Sequence, residues 1–75
     1  MGKSIHTKEY KKLVERLREA RQEAGMTQVA VAHTLKRPQS HISNIEHGQQ
    51  RLDVIELKTF AKLYKKKLDY FIDLD

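Results

Sequence analysis

Apolar residues in this chain return every third or fourth position, and no stretch alternates with period two over a useful length. Tyr10, Leu13, Val14, Leu17, Ala20, Arg21 and Ala24 follow one helical face. Thr7 is placed to cap that helix, with Glu9 in its first turn, and Gly25 marks its end. Thr27 opens a shorter second helix with Val31, Ala32 and Leu35 inward. Pro38 suits the first turn of a third helix, where a missing N–H costs nothing. Ile42 and Ile45 form its inner stripe and Gly48 ends it. Asp53 and Glu56 are spaced as a capping box for a fourth helix that buries Val54, Leu57, Phe60, Ala61 and Tyr64. Asp69 is placed to cap a short last helix that returns Leu68 and Phe71 to the core. Residues 1–6 carry no pattern and read as a flexible arm; residues 7–75 read as one domain. The pattern predicts an all-α fold of five helices.

The second and third helices are separated only by Lys36 and Arg37. Helices joined so tightly form a helix-turn-helix, whose second helix can enter the major groove of DNA. With Ile42 and Ile45 inward, a rotation of about 100° per residue puts Ser40, Ser43, Asn44 and His47 on the opposite face. Gln39 flanks that face at the helix N-terminus, the end that meets base edges. Gln and Asn can bond bidentately to adenine, and Ser can serve either base type.

Charge sharpens this picture. Fifteen Lys and Arg against ten Asp and Glu give a net +5, which favours a polyanionic partner. The excess lies in residues 1–37, with nine basic and four acidic groups; residues 38–75 carry six of each. Residues 24–45 hold no Asp or Glu, as suits a surface that faces phosphates. There is no cysteine, so disulfides and zinc–thiolate sites are excluded. His6, His33, His41 and His47 lack metal-ligand spacing and read as surface or DNA-proximal histidines. No catalytic triad, glycine-rich phosphate loop or cofactor motif is present, so an enzyme is not expected. No apolar run approaches the roughly 18 residues of a membrane span, and the reading is a cytoplasmic protein.

The run Met26-Thr27-Gln28-Val29-Ala30-Val31-Ala32-His33-Thr34-Leu35, continuing to Ile42-Ser43-Asn44-Ile45-Glu46-His47-Gly48, resembles the Cro and phage-repressor type of helix-turn-helix, the XRE family. Arg37-Pro38-Gln39-Ser40 and Arg51-Leu52-Asp53-Val54-Ile55-Glu56-Leu57 extend the likeness, which covers roughly residues 13–72. The resemblance implies a lambda-repressor-like five-helix domain that binds a palindromic operator in double-stranded DNA as a homodimer. By motif position, Gln39, Ser40, Ser43 and Asn44 face bases. Gln28 touches a phosphate and braces Gln39, while Arg37, His47 and Arg51 lie near phosphates. Arg21 and Glu46 occupy positions that pair across the first and third helices.

Three positions depart from the family pattern. Lys36 stands where the turn usually has Gly, so a positive φ there would carry strain. Arg37 takes a position that is often apolar. Val29 and Ala30 replace residues that are often acidic. The same fold also serves antitoxins, whose toxin partner would use exposed apolar residues such as Val29, Ile55 or Tyr70, and restriction-modification controllers.

Overall fold

The computed structural model describes residues 7–72, so the arm expected at residues 1–6 lies outside the described residues. Five helices follow in order: α1 Lys8–Glu23, α2 Gln28–Leu35, α3 Gln39–Glu46, α4 Val54–Tyr64 and α5 Leu68–Phe71. Among the described residues there is no strand. Nor is any helix among them long and apolar enough to cross a membrane.

Three helices start on side-chain caps read from the sequence. Thr7 Oγ1 accepts from Tyr10 N at 3.1 Å, Thr27 Oγ1 from Ala30 N at 3.0 Å and Asp53 Oδ1 from Glu56 N at 2.7 Å. Each cap satisfies an amide that the helix itself leaves without a partner, contributing about 1 kcal/mol. Gly25 and Gly48 take the left-handed conformation, with φ of 70° and 73°, where α1 and α3 end.

Four local expectations are corrected. Pro38 is the residue before α3, with extended backbone at ψ 148°, because the ring carries the chain out of the turn and the first helical residue is Gln39. Three residues, not two, therefore separate α2 from α3. Lys67, not Asp69, stands at the N-cap of α5, and Asp69 lies in its first turn. Only half of the capping box forms, since the Glu56 side chain reaches His41 instead of returning to the start of α4. Ala24 is exposed, because it lies at the C-cap where the chain leaves the apolar face of α1.

The core is built where the helical stripes converge. Leu17, Val31, Ile42, Ile45, Phe60 and Phe71 are the largest fully enclosed side chains. α2 packs mainly on α3, and α1 crosses behind to touch α3, α4 and α5. Burial of an aromatic side chain such as Phe60 contributes enough that its loss to Ala costs about 3–5 kcal/mol. Val54 departs from the expected inward set: it is 60% exposed, since the first turn of α4 extends past the core. Tyr70, expected to be exposed, is half-buried, with the Arg16 guanidinium 5.1 Å and the Lys66 ammonium 4.6 Å from its ring centre.

The turn between α2 and α3 realises the strain foreseen at Lys36. Its φ of 57° and ψ of 45° are left-handed, a region costly for a residue with a Cβ. The geometry closes α2 through Lys36 N to His33 O at 3.2 Å and Arg37 N to Ala32 O at 2.9 Å. Lys65 repeats the device at the end of α4, with φ 58°.

Candidate nucleic-acid interface

The outer face of α3 is neutral and polar. With Ile42 and Ile45 fully buried, Gln39, Ser40 and His47 are exposed, and Ser43 and Asn44 half-buried. The face presents amide and hydroxyl groups able to donate and accept, the chemistry that base edges require. Arg37 in the turn and Arg51 in the following loop are both exposed and flank this face in sequence.

The end of α3 is fixed by one buried carboxylate. Glu46 is 2% exposed, yet every oxygen of its carboxylate has a donor. Arg21 Nε donates to Oε2 at 2.8 Å, and Arg21 Nη2 to Oε1 at 3.1 Å. Gln28 Nε2 also donates to Oε1, at 3.0 Å. The remaining Arg21 nitrogen, Nη1, donates to Met26 O at 2.9 Å. Arg18 adds a bond from Nη1 to the Glu46 backbone carbonyl at 2.6 Å, which satisfies a carbonyl at the end of the helix. Glu46 thus joins α1, the start of α2 and α3 in one network, and a buried ion is tolerated only when so fully paired.

Gln28 departs from expectation here. Its amide nitrogen turns inward to Glu46, and no hydrogen bond joins it to Gln39. A bond to a buried carboxylate is charge-assisted and stronger than one between two neutral amides, so the inward partner wins.

His47 is ordered by its own helix. Nδ1 donates to Ser43 O at 2.7 Å and lies 3.3 Å from Ser43 Oγ. The ring therefore carries a proton on Nδ1 and leaves Nε2 for an outside partner. Ser43 is shared between this contact and the outer face.

A second network surrounds His41, a residue that the sequence suggests is a surface or DNA-proximal histidine. His41 is half-buried and lies 2.6 Å from Glu56 Oε2 through Nε2. Gln50 Nε2 lies 2.9 Å from its Nδ1. With the proton on Nε2, the ring donates to Glu56 and accepts from Gln50. This ties α3 to α4 and to the loop before it. The signal was the separation of three residues from Asp53 to Glu56, read as a local cap. Among the described residues no cluster of His, Asp and Glu is arranged to hold a metal ion.

Helix-turn-helix sequences as a class match residues 17–71, which include the whole of α2, the turn and α3. The chain belongs to this helix-turn-helix family, of the XRE type. It is similar to the HTH-type transcriptional regulator ImmR of Bacillus subtilis (strain 168), with 36% identity over 63 residues. That match covers 84% of this chain and 50% of the relative, so the chain spans about half the length of the curated relative it matches.

Proposed function

We propose that this chain is a sequence-specific, repressor-like regulator of transcription that binds double-stranded DNA, with α3 in the major groove. The observation that carries the reading is the neutral polar face of α3, held rigidly at its far end by Glu46 and set in a segment without carboxylates. Gln39, Ser40, Ser43 and Asn44 read bases. Arg37 and Arg51 hold phosphates, His47 joins them as the imidazolium, donating from Nε2, and Gln28 presents the remaining oxygen and N–H of its amide at the start of α2. The relative's name, a transcriptional regulator, agrees with this reading. The role is binding, without catalysis, and places the protein in a prokaryotic cytoplasm.

The domain's longest dimension is 31 Å. Successive major grooves on one side of B-DNA lie about 34 Å apart. One copy therefore engages one groove, and a palindromic operator calls for a homodimer. Fluorescence anisotropy on duplexes selected from a random pool tests the proposal. A selected palindrome should bind at least about a thousandfold tighter than a scrambled duplex at physiological salt. Equal affinity for both would end the claim of sequence specificity.

A second reading keeps the fold and changes the partner. Val29 is 59% and Ile55 66% exposed, as an antitoxin's toxin-binding surface would require. A stoichiometric protein partner on purification, with weak DNA binding, would favour it. A restriction-modification controller shares the DNA-binding mechanism and differs in the genes it controls.

A further inference from the structure

A groove of about 1060 Å³ runs between the first half of α1 and the end of α3, outside the face assigned to base reading. Its α3 wall is the turn of His47, Gly48 and Gln49. Its α1 wall carries Lys8, Lys11, Lys12 and Arg18 against the carboxylates of Glu15 and Glu19. A fifth cation on this wall, Arg16, turns its guanidinium away to the Tyr70 carbonyl at 3.2 Å and the Tyr70 ring. The groove is thus net positive even without Arg16.

Two contacts hold its walls together. Arg18 bonds the last carbonyl of α3. The Tyr10 hydroxyl accepts from Leu52 N at 2.9 Å, pinning the loop that carries Arg51 against α1. The basic wall of α1 is therefore joined by hydrogen bonds to the turn and loop that bear His47 and Arg51. Along that loop the backbone amides of Gly48, Gln49 and Gln50 are spent on the Ile45 and Asn44 carbonyls. An anion beside that loop is therefore held by side chains, and lysines are suited to that as mobile point charges.

We propose that this groove is a second seat for the DNA backbone. It takes phosphates flanking those held by His47 and Arg51, with Lys8 and Lys11 as its principal cations. The proposal rests on the DNA-binding reading and extends the footprint of each copy along the duplex. Such contacts add affinity without sequence information, since phosphates are the same at every base pair.

The test uses the full chain and measures affinity against salt on a selected duplex and on a scrambled one. Each phosphate contact contributes about 0.9 to the slope of log affinity against log salt. The Lys8→Gln/Lys11→Gln variant should lower the slope by about two units on both duplexes and leave their affinity ratio unchanged. A matched control, Lys58→Gln/Lys62→Gln on the exposed side of α4, removes the same charge outside the groove and should leave the slope as it was. Glu15→Gln should tighten binding several-fold, a gain that no folding defect can produce. Equal slope changes in the two lysine pairs, or an unchanged slope in the groove pair, would overturn the proposal while leaving the DNA-binding reading intact. A wild-type protein with no affinity for either duplex would overturn both.

Discussion

Arg21 grips Glu46 with two nitrogens, Nε on one carboxylate oxygen at 2.8 Å and Nη2 on the other at 3.1 Å, across the interface of α1 and α3. A fork-to-fork pair fixes direction as well as distance. It sets the end of α3 relative to α1, and with it the direction in which the outer face of α3 points. Removing either partner leaves a buried charge without its counterion. Glu46→Ala and Arg21→Ala should each lower stability by about 3–5 kcal/mol in urea unfolding. A double-mutant cycle should return a strong coupling energy; additive losses would mean that the two residues act independently.

The left-handed backbone at Lys36 predicts an unusual gain. Glycine adopts φ 57° without steric cost, whereas a Cβ there costs about 1–2 kcal/mol. The extra freedom of glycine in the unfolded chain offsets about 0.5–1 kcal/mol of that. Lys36→Gly should therefore be neutral to about 1.5 kcal/mol stabilising, and Lys36→Val clearly destabilising. A marked loss in the glycine variant would show that the lysine side chain contributes through its own contacts.

Reading and holding should separate in two variants. Gln39→Ala should cost about 1–3 kcal/mol on the selected duplex and little on a scrambled one. Arg51→Ala should weaken both alike and reduce the salt slope by about one unit. Were Gln39→Ala to preserve discrimination, the base-reading set would have to be redrawn without it.

Alkaline pH should expose a buried phenol. The Tyr64 hydroxyl is held well above tyrosine's ordinary range, first by burial and then by the Glu46 carboxylate, with Arg21 pulling the other way. The folded protein keeps this proton where the unfolded chain sheds it, near pH 10. Its contribution is complete below that pH and is lost as pH rises toward the folded value. Lys66 has the same sign, raised by its hydrogen bond to Glu23. Tyr64→Phe removes only the first effect, so its stability should fall less between pH 8 and pH 11 than that of the wild type. Identical falls in urea unfolding would exclude Tyr64 as the cause.

Local chemistry made most of the fold legible. Thr7, Thr27 and Asp53 cap the helices assigned to them, because a cap depends on three or four consecutive residues. Ile42 and Ile45 face inward, because period 3.6 fixes which side chains share a face. What escaped were choices between partners. Gln28 could brace a neighbour or join Glu46, and Glu56 could return to its own helix or reach His41. Those outcomes follow from how α1, α3 and α4 are packed, which no window of sequence contains. Arg18 was missed for the same reason, since its partner is a backbone carbonyl 28 residues away.

The diversion of Glu56 to His41 has a consequence for how the protein opens. A complete capping box would let the first turn of α4 hold itself. Here Asp53 caps that turn, but the side chain that would close the box is held by His41 of α3, which Gln50 also contacts. The start of α4 and α3 should then exchange their amide hydrogens as one cooperative unit, with similar opening free energies, where an ordinary helix end would fray by itself. A change that loosens α3 would thereby be felt at Val54 and Ile55, the most exposed apolar residues of α4.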